Sequence, residues 1–61
     1  MTSDYIYVRG TTAYLMDEYL PEASAEELIA ASTKAAHITQ VSLKGMKKKR
    51  YVGTDIVYGL A

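Results

Sequence analysis

The sequence contains no cysteine, phenylalanine or tryptophan, and it has one histidine and one proline. Without cysteine there is neither a disulfide nor a thiolate metal site, and one histidine alone does not build a structural zinc site. No apolar run approaches the roughly 20 residues that cross a bilayer, and the first residues lack the basic and apolar regions of a signal peptide. These absences predict a soluble, cytoplasmic protein with no cofactor, metal or membrane partner.

The chain of 61 residues is short enough to be a single domain, residues 1–61, with a thin core. An apolar fraction of 49% favours a folded chain over a disordered one. The sequence shows no nucleophile–base pair, no paired carboxylates and no phosphate-binding glycine loop, and so short a chain leaves little room for a pocket. We therefore predict a protein that is not an enzyme and has no small-molecule substrate.

The neutral net charge conceals two halves of opposite sign. Residues 1–30 carry a net charge of −5 and residues 31–61 a net charge of +5. Such asymmetry indicates a charged partner, unless the halves neutralise each other within one molecule or between two. The acidic candidates for a protein contact are Asp17, Glu18, Glu22, Glu26 and Glu27. The basic candidates lie in KGMKKKRYV and are Lys44, Lys47, Lys48, Lys49 and Arg50.

Local patterns in the first half predict one strand and two helices. Tyr5–Gly10 is rich in β-branched and aromatic residues and predicts a short strand. In TTAYLMDEYL, apolar residues four apart, such as Leu15 and Tyr19, predict a helix that ends before Pro21. The capping-box spacing of Ser24 and Glu27 predicts a second helix from Ala25 to Ala36 or His37.

The second half predicts a basic hairpin followed by a short helix. Its strands would be Thr39–Lys44 and Lys48–Val52, joined by a turn over residues 44–47. A helix that continues through Gly45 is the alternative. Thr54 suits a helix cap and Asp55 suits a first turn, so the chain is expected to finish in a short helix.

This order of elements resembles a winged helix-turn-helix. The tail KKKRYVGTDIVYGL is similar to the wing and following helix of small MerR-like DNA-binding domains, the group that includes phage excisionases. Arg50, Tyr51 and Asp55 carry that resemblance, which implies an α+β fold with AEELIAASTKAAH as recognition helix. The same tail also resembles the last helix of the core-histone fold, but the second predicted helix is too short for that fold.

We accordingly expect a small DNA-binding protein, a phage or mobile-element regulator or a recombination accessory factor. The hairpin cations would contact the phosphates of duplex DNA, and Tyr51 would bond a phosphate or stack on a base. Thr33, Lys34 and His37 are secondary candidates for groove contacts. The alternatives are a nuclear address, a solvated hairpin that protects an edge strand, and an interaction module. Such a module would be an inhibitor or adaptor, binding a basic protein or a second copy through its acidic helices.

Overall fold

The structure, a computed structural model, describes residues 4–60, which form one five-stranded antiparallel sheet and one short helix. The elements in chain order are strand β1 (Tyr5–Arg9), strand β2 (Thr12–Met16), helix α1 (Ala25–Ala31), strand β3 (Lys34–His37), a 3₁₀ turn (Ile38–Gln40), strand β4 (Met46–Val52) and strand β5 (Asp55–Leu60). The strands lie in the order β3-β2-β1-β5-β4. The first and last strands are therefore neighbours at the centre of the sheet, and β3 and β4 are its edges.

Two hairpins with the same turn sequence build most of this sheet. Gly10–Thr11 connects β1 to β2, and Gly53–Thr54 connects β4 to β5. Each glycine opens its turn with a positive φ, 62° at Gly10 and 63° at Gly53, which tight hairpin turns favour and residues with a Cβ avoid. Antiparallel pairing of β1 with β5 then joins the two hairpins into one sheet.

One face of the sheet, the helix face, packs against α1 and holds the hydrophobic core. Residues directly opposite one another in neighbouring strands share a face, so Tyr7 lies beside Val57 on β5. Leu28 of α1 packs against these two residues and against Met16, and all four are buried. Helix α1 therefore lies on the sheet through one fully buried leucine.

Helix α1 begins where the capping box predicts. The Ser24 hydroxyl accepts a hydrogen bond from the Glu27 backbone N–H at 3.2 Å, and the Glu27 carboxylate accepts one from the Ser24 N–H at 2.8 Å. The bond from the Ser24 backbone, followed by that with its side chain, lowers the pKa of the Glu27 carboxyl. The helix ends at Ala31, because Ser32 donates a side-chain bond to the Ile29 carbonyl at 2.7 Å and Thr33 N–H then bonds the Leu15 carbonyl on β2.

The predicted winged helix-turn-helix fold is wrong. The N-terminal strand is confirmed, but Thr12–Met16 forms β2 rather than part of a helix, since its backbone pairs with both β1 and β3. The second half of the predicted recognition helix is β3. Residues 39–44 contain no strand, and the predicted C-terminal helix is β5, which hydrogen-bonds to strands on both sides.

The connection from β3 to β4, residues 38–45, is named the crossover segment. It has to pass from one edge of the sheet to the other, because β3 and β4 are the two edges. Its residues line a cavity together with Ile6 and Leu15, which oppose each other on the face turned away from α1. The crossover segment thus lies over this second face, which is named the crossover face.

A hydrogen bond joins the first and last strands on the helix face. The Tyr7 hydroxyl donates to a carboxylate oxygen of Asp55 at 2.6 Å, and the Arg9 Nε lies 3.9 Å from the same oxygen. The Tyr7 side chain is fully buried. Burial, followed by the bond to Asp55, raises the pKa of Tyr7 to about 12 from an ordinary value of 10.0.

We expect the free energy of unfolding to fall as the pH rises from 10 towards 12. The unfolded chain loses the Tyr7 proton near pH 10 and the folded chain only near pH 12, so alkaline conditions favour unfolding across that interval. The stabilisation is fully present below pH 10. Urea unfolding at a series of pH values measures the effect.

The control for this titration is Tyr7→Phe, which keeps the ring and removes the ionisable hydroxyl. At neutral pH it should cost about 1.5–3 kcal/mol, because Asp55 loses a charge-assisted hydrogen bond. Its stability should then fall less steeply between pH 10 and 12 than that of the parent. An equally steep fall in both chains would show that another group causes the alkaline loss.

Candidate nucleic-acid interface

The basic residues of KGMKKKRYV lie on β4 and on the turn before it. That turn is closed by a 3.0 Å hydrogen bond from the Met46 N–H to the Leu43 carbonyl, and Gly45 has a φ of 86°. The strand that follows pairs with β5, not with residues 39–44 as predicted. Since β4 is an edge strand, its other side carries no strand of this sheet, and its long side chains extend along an accessible edge.

A β-bulge controls how the cations are distributed. Lys48 opposes Tyr58, while Arg50 opposes the adjacent residue Val57, so Lys49 is the extra residue between them. Lys48 therefore lies on the crossover face with Tyr58. The Lys49 side chain lies on the helix face beside Gly59, where it and the Tyr5 ring leave no room for a Cβ. A bulge bends and twists its strand, which spreads the lysines around the edge.

Arg50 makes a specific contact within the protein. Its guanidinium donates a 2.7 Å hydrogen bond to the Leu20 carbonyl in the loop between β2 and α1. The side chain is partly buried, and Leu20 packs against the core. Arg50 thereby ties the edge strand to the loop, so a phosphate would compete with this bond for the guanidinium.

Tyr51 is the most exposed large hydrophobic residue of the interface, at 63% relative exposure. It opposes Ile56 on the crossover face, the same face that carries Lys48 and Tyr58. Tyr58 was not a predicted site residue, but the sheet places it beside Lys48. An exposed phenol ring next to ammonium groups can stack on a base or donate a hydrogen bond to a phosphate. In a strand, alternate residues lie on opposite faces, so reading DIVYGL as a strand would have placed Ile56, Tyr58 and Leu60 on one face.

The secondary candidates lie at the opposite edge of the sheet. Thr33 precedes β3 and is engaged with β2, since both its N–H and its hydroxyl donate to the Leu15 carbonyl. Lys34 and His37 are on β3, and the His37 Nδ1 lies 2.8 Å from the Thr39 hydroxyl. Strands β2, β1 and β5 separate β3 from β4. The structure therefore does not bring these three residues together with the β4 lysines, although Lys34 and His37 line one cavity with Lys44.

The charges of the interface are not neutralised by carboxylates within residues 4–60. The ion pair that the described part of the chain contains is Arg9–Asp55, at 3.9 Å, and it involves none of the lysines. The exposed lysines of the edge are Lys44, Lys47 and Lys48, and the stem of Lys49 is half-buried. Four ammonium groups within six residues thus create a strongly positive edge.

The acidic residues lie on the loop and helix that follow β2, and Arg50 of β4 holds that loop through the Leu20 carbonyl. Asp17, Glu18 and Glu22 are exposed in the loop between β2 and α1, and Glu26 and Glu27 are in the first turn of α1. The two acidic helices of the prediction are therefore one loop and one short helix. Glu27 is engaged in the capping box, which leaves the other four as the acidic surface.

No protein-family model, curated protein sequence or solved structure matches this chain. The resemblance to MerR-like and excisionase domains is wrong, because the described residues form a five-stranded sheet with one helix and no helix-turn-helix. Within residues 4–60, no group of three histidine, aspartate or glutamate side chains is arranged to hold a metal ion. No helix in the same range is long and apolar enough to span a membrane.

Arg50→Gln should lower the free energy of unfolding by about 1.5–3 kcal/mol, because the Leu20 carbonyl loses a hydrogen bond from a charged donor. The matched control is Lys47→Gln, which removes an exposed cation from the same strand and should change stability by less than about 0.5 kcal/mol. Urea denaturation of both variants measures the difference. Equal stabilities would contradict a structural role for Arg50.

Proposed function

We propose that the protein is a non-enzymatic nucleic-acid-binding protein whose β4 edge lies along the phosphate backbone of duplex DNA. The observation that carries this proposal is the row of lysines on the β4 edge, which have no carboxylate partner within residues 4–60. Such a row gains affinity by releasing the counterions condensed on DNA. The contacts are to phosphates, so the binding is largely independent of sequence.

The residues proposed to bind phosphate are Lys44, Lys47, Lys48 and Lys49. Tyr51 supplements them through its exposed ring and hydroxyl. Arg50 is left out because its guanidinium already binds the Leu20 carbonyl. Thr33, Lys34 and His37 are left out because β3 is the far edge of the sheet.

The test is a fluorescence anisotropy titration of a labelled mixed-sequence duplex at several salt concentrations between roughly 50 and 200 mM. Four phosphate contacts predict a slope of about −3 to −4 when the logarithm of the binding constant is plotted against that of the salt concentration. Neutralising three of them with Lys47→Gln, Lys48→Gln and Lys49→Gln should reduce the slope to about −1 and abolish most of the affinity.

Lys34→Gln is the matched control, since it removes one cation from the opposite edge and should leave the salt slope unchanged. A matching single strand, titrated in parallel, tests whether stacking on Tyr51 contributes. If the parent chain fails to bind either probe at the lowest salt, the proposal is wrong. The lysines would then serve only to keep an edge strand from pairing with other chains.

A second candidate function is protein interaction through the acidic surface. It is favoured because Asp17, Glu18, Glu22 and Glu26 form no ion pair with the β4 lysines within residues 4–60. Both clusters are thus available to a partner. One copy could present its acidic surface to the β4 edge of the next, a head-to-tail contact that builds rings or filaments.

Sedimentation equilibrium at low and high salt tests this second candidate. Self-association should appear at low salt, weaken as salt screens the charges, and be lost in a Glu18→Gln, Glu22→Gln, Glu26→Gln variant. The Lys47→Gln, Lys48→Gln, Lys49→Gln variant should lose self-association as well, because the contact joins the acidic surface of one copy to the lysines of the next. A monodisperse monomer at low salt and high concentration would rule out the self-contact.

A further inference from the structure

The crossover face contains a cavity whose lining shares only Lys44 with the nucleic-acid proposal. It has a volume of about 680 Å³ and lies between the sheet and the crossover segment. The expectation that so short a chain leaves little room for a pocket is wrong. The volume falls within the roughly 300–1,000 Å³ that small-molecule sites occupy.

The lining of this cavity combines aliphatic side chains with polar ones, among them His37, Gln40 and Ser42. The sheet contributes Ile6, Leu15, Met46 and Leu60, and the crossover segment contributes Val41. Leu60 is 45% exposed, and it is one of the residues that line the cavity. Removing this apolar surface from water is favourable for any ligand that presents hydrocarbon to it.

Two lysines accompany the apolar lining. Lys34 comes from the edge strand β3, and Lys44 comes from the end of the crossover segment. The described residues that line the cavity include no aspartate or glutamate, and neither lysine forms an ion pair within residues 4–60. The site thus combines aliphatic and polar surface with positive charge that no carboxylate of the described lining offsets.

We propose that this cavity binds a small amphipathic anion, an aliphatic chain that carries one carboxylate. The chain would lie against Ile6, Leu15 and Leu60, and the carboxylate would lie between Lys34 and Lys44. The charge excludes a cationic amphiphile, and the aliphatic part of the lining favours an anion that also carries hydrocarbon. The two proposals share Lys44, but Lys47, Lys48, Lys49 and Tyr51 do not line the cavity and Lys34 does not belong to the proposed DNA contacts.

The probes are octanoate, decanoate and dodecanoate below their micellar concentrations, titrated into the isotopically labelled protein and followed by methyl NMR shifts. Ile6, Leu15 and Leu60 should shift most, and affinity should rise about tenfold for each two methylenes that become buried. 1-Decanol should bind more weakly than decanoate, and decyltrimethylammonium should not bind. Absence of methyl shifts with all three carboxylates, or equal binding of the cationic probe, would overturn the proposal.

Charge-reversal variants test the roles of the two lysines. A Lys34→Glu, Lys44→Glu variant should no longer bind decanoate and should bind decyltrimethylammonium instead. Lys47→Glu changes a residue outside the cavity and should bind both probes as the parent does. Dispersed amide shifts in each variant verify that it is folded. Unchanged selectivity in a folded double variant would contradict the assignment of the anion to Lys34 and Lys44.

Lys34→Gln and Lys47→Gln separate the two proposals. Lys34→Gln should lower the affinity for decanoate by about threefold to fivefold and leave the affinity for DNA unchanged. Lys47→Gln should lower the affinity for DNA and leave the affinity for decanoate unchanged. Failure of the DNA titration alone would leave the cavity assignment standing, and failure of the carboxylate titration alone would leave the DNA proposal standing.

Discussion

The pairing of β1 with β5 is the constraint on which the rest of the molecule depends. It brings together residues that are 48 positions apart, such as Tyr7 and Asp55, and places the first and last strands at the centre of the sheet. The Leu60 N–H extends the pairing to the Asp4 carbonyl. The hydrogen bond between the buried Tyr7 hydroxyl and Asp55 fixes the relative position of the two hairpins, because each hairpin contributes one of its partners. A contact of such high sequence separation closes a long loop, and its entropy cost has to be offset by the core that forms around it.

The positions of the two edges follow from that centre. With β1 and β5 inside the sheet, β2 and β4 lie outside them, and β3 adds to β2. The connection from β3 to β4 then has to cross a whole face, and α1 already occupies the other one. The cavity beneath residues 38–45 is therefore a consequence of strand order, and so is the position of the basic strand at an accessible edge. One topological feature produces both candidate binding sites.

The edge position also explains why the same lysines admit a functional and a structural interpretation. Charged side chains on an edge strand prevent pairing with other chains, and they are equally suited to a phosphate backbone. The Lys49 bulge and the Arg50 bond to the Leu20 carbonyl twist and anchor this edge. An edge held in this way presents its remaining cations from a rigid strand, which lowers the entropy cost of binding an extended polyanion.

The sequence by itself determined the features that depend on neighbouring residues. The capping box of Ser24 and Glu27, the strand at Tyr5–Arg9 and the cluster of cations could all be read from it, because each rests on contacts within a few positions or on composition. Both hairpin turns contain Gly-Thr, but the sequence alone favoured a helix cap at Thr54. The tertiary structure alone decided the remainder. The spacing of Leu15 and Tyr19 suits a helix, and Ala35 and Ala36 are good helix formers, yet Leu15 and both alanines lie in strands because distant strands supply their backbone partners. Strand pairing across nearly the whole chain decides which strands become edges, which face each lysine lies on and where the cavity forms. No local sequence pattern encodes these three features.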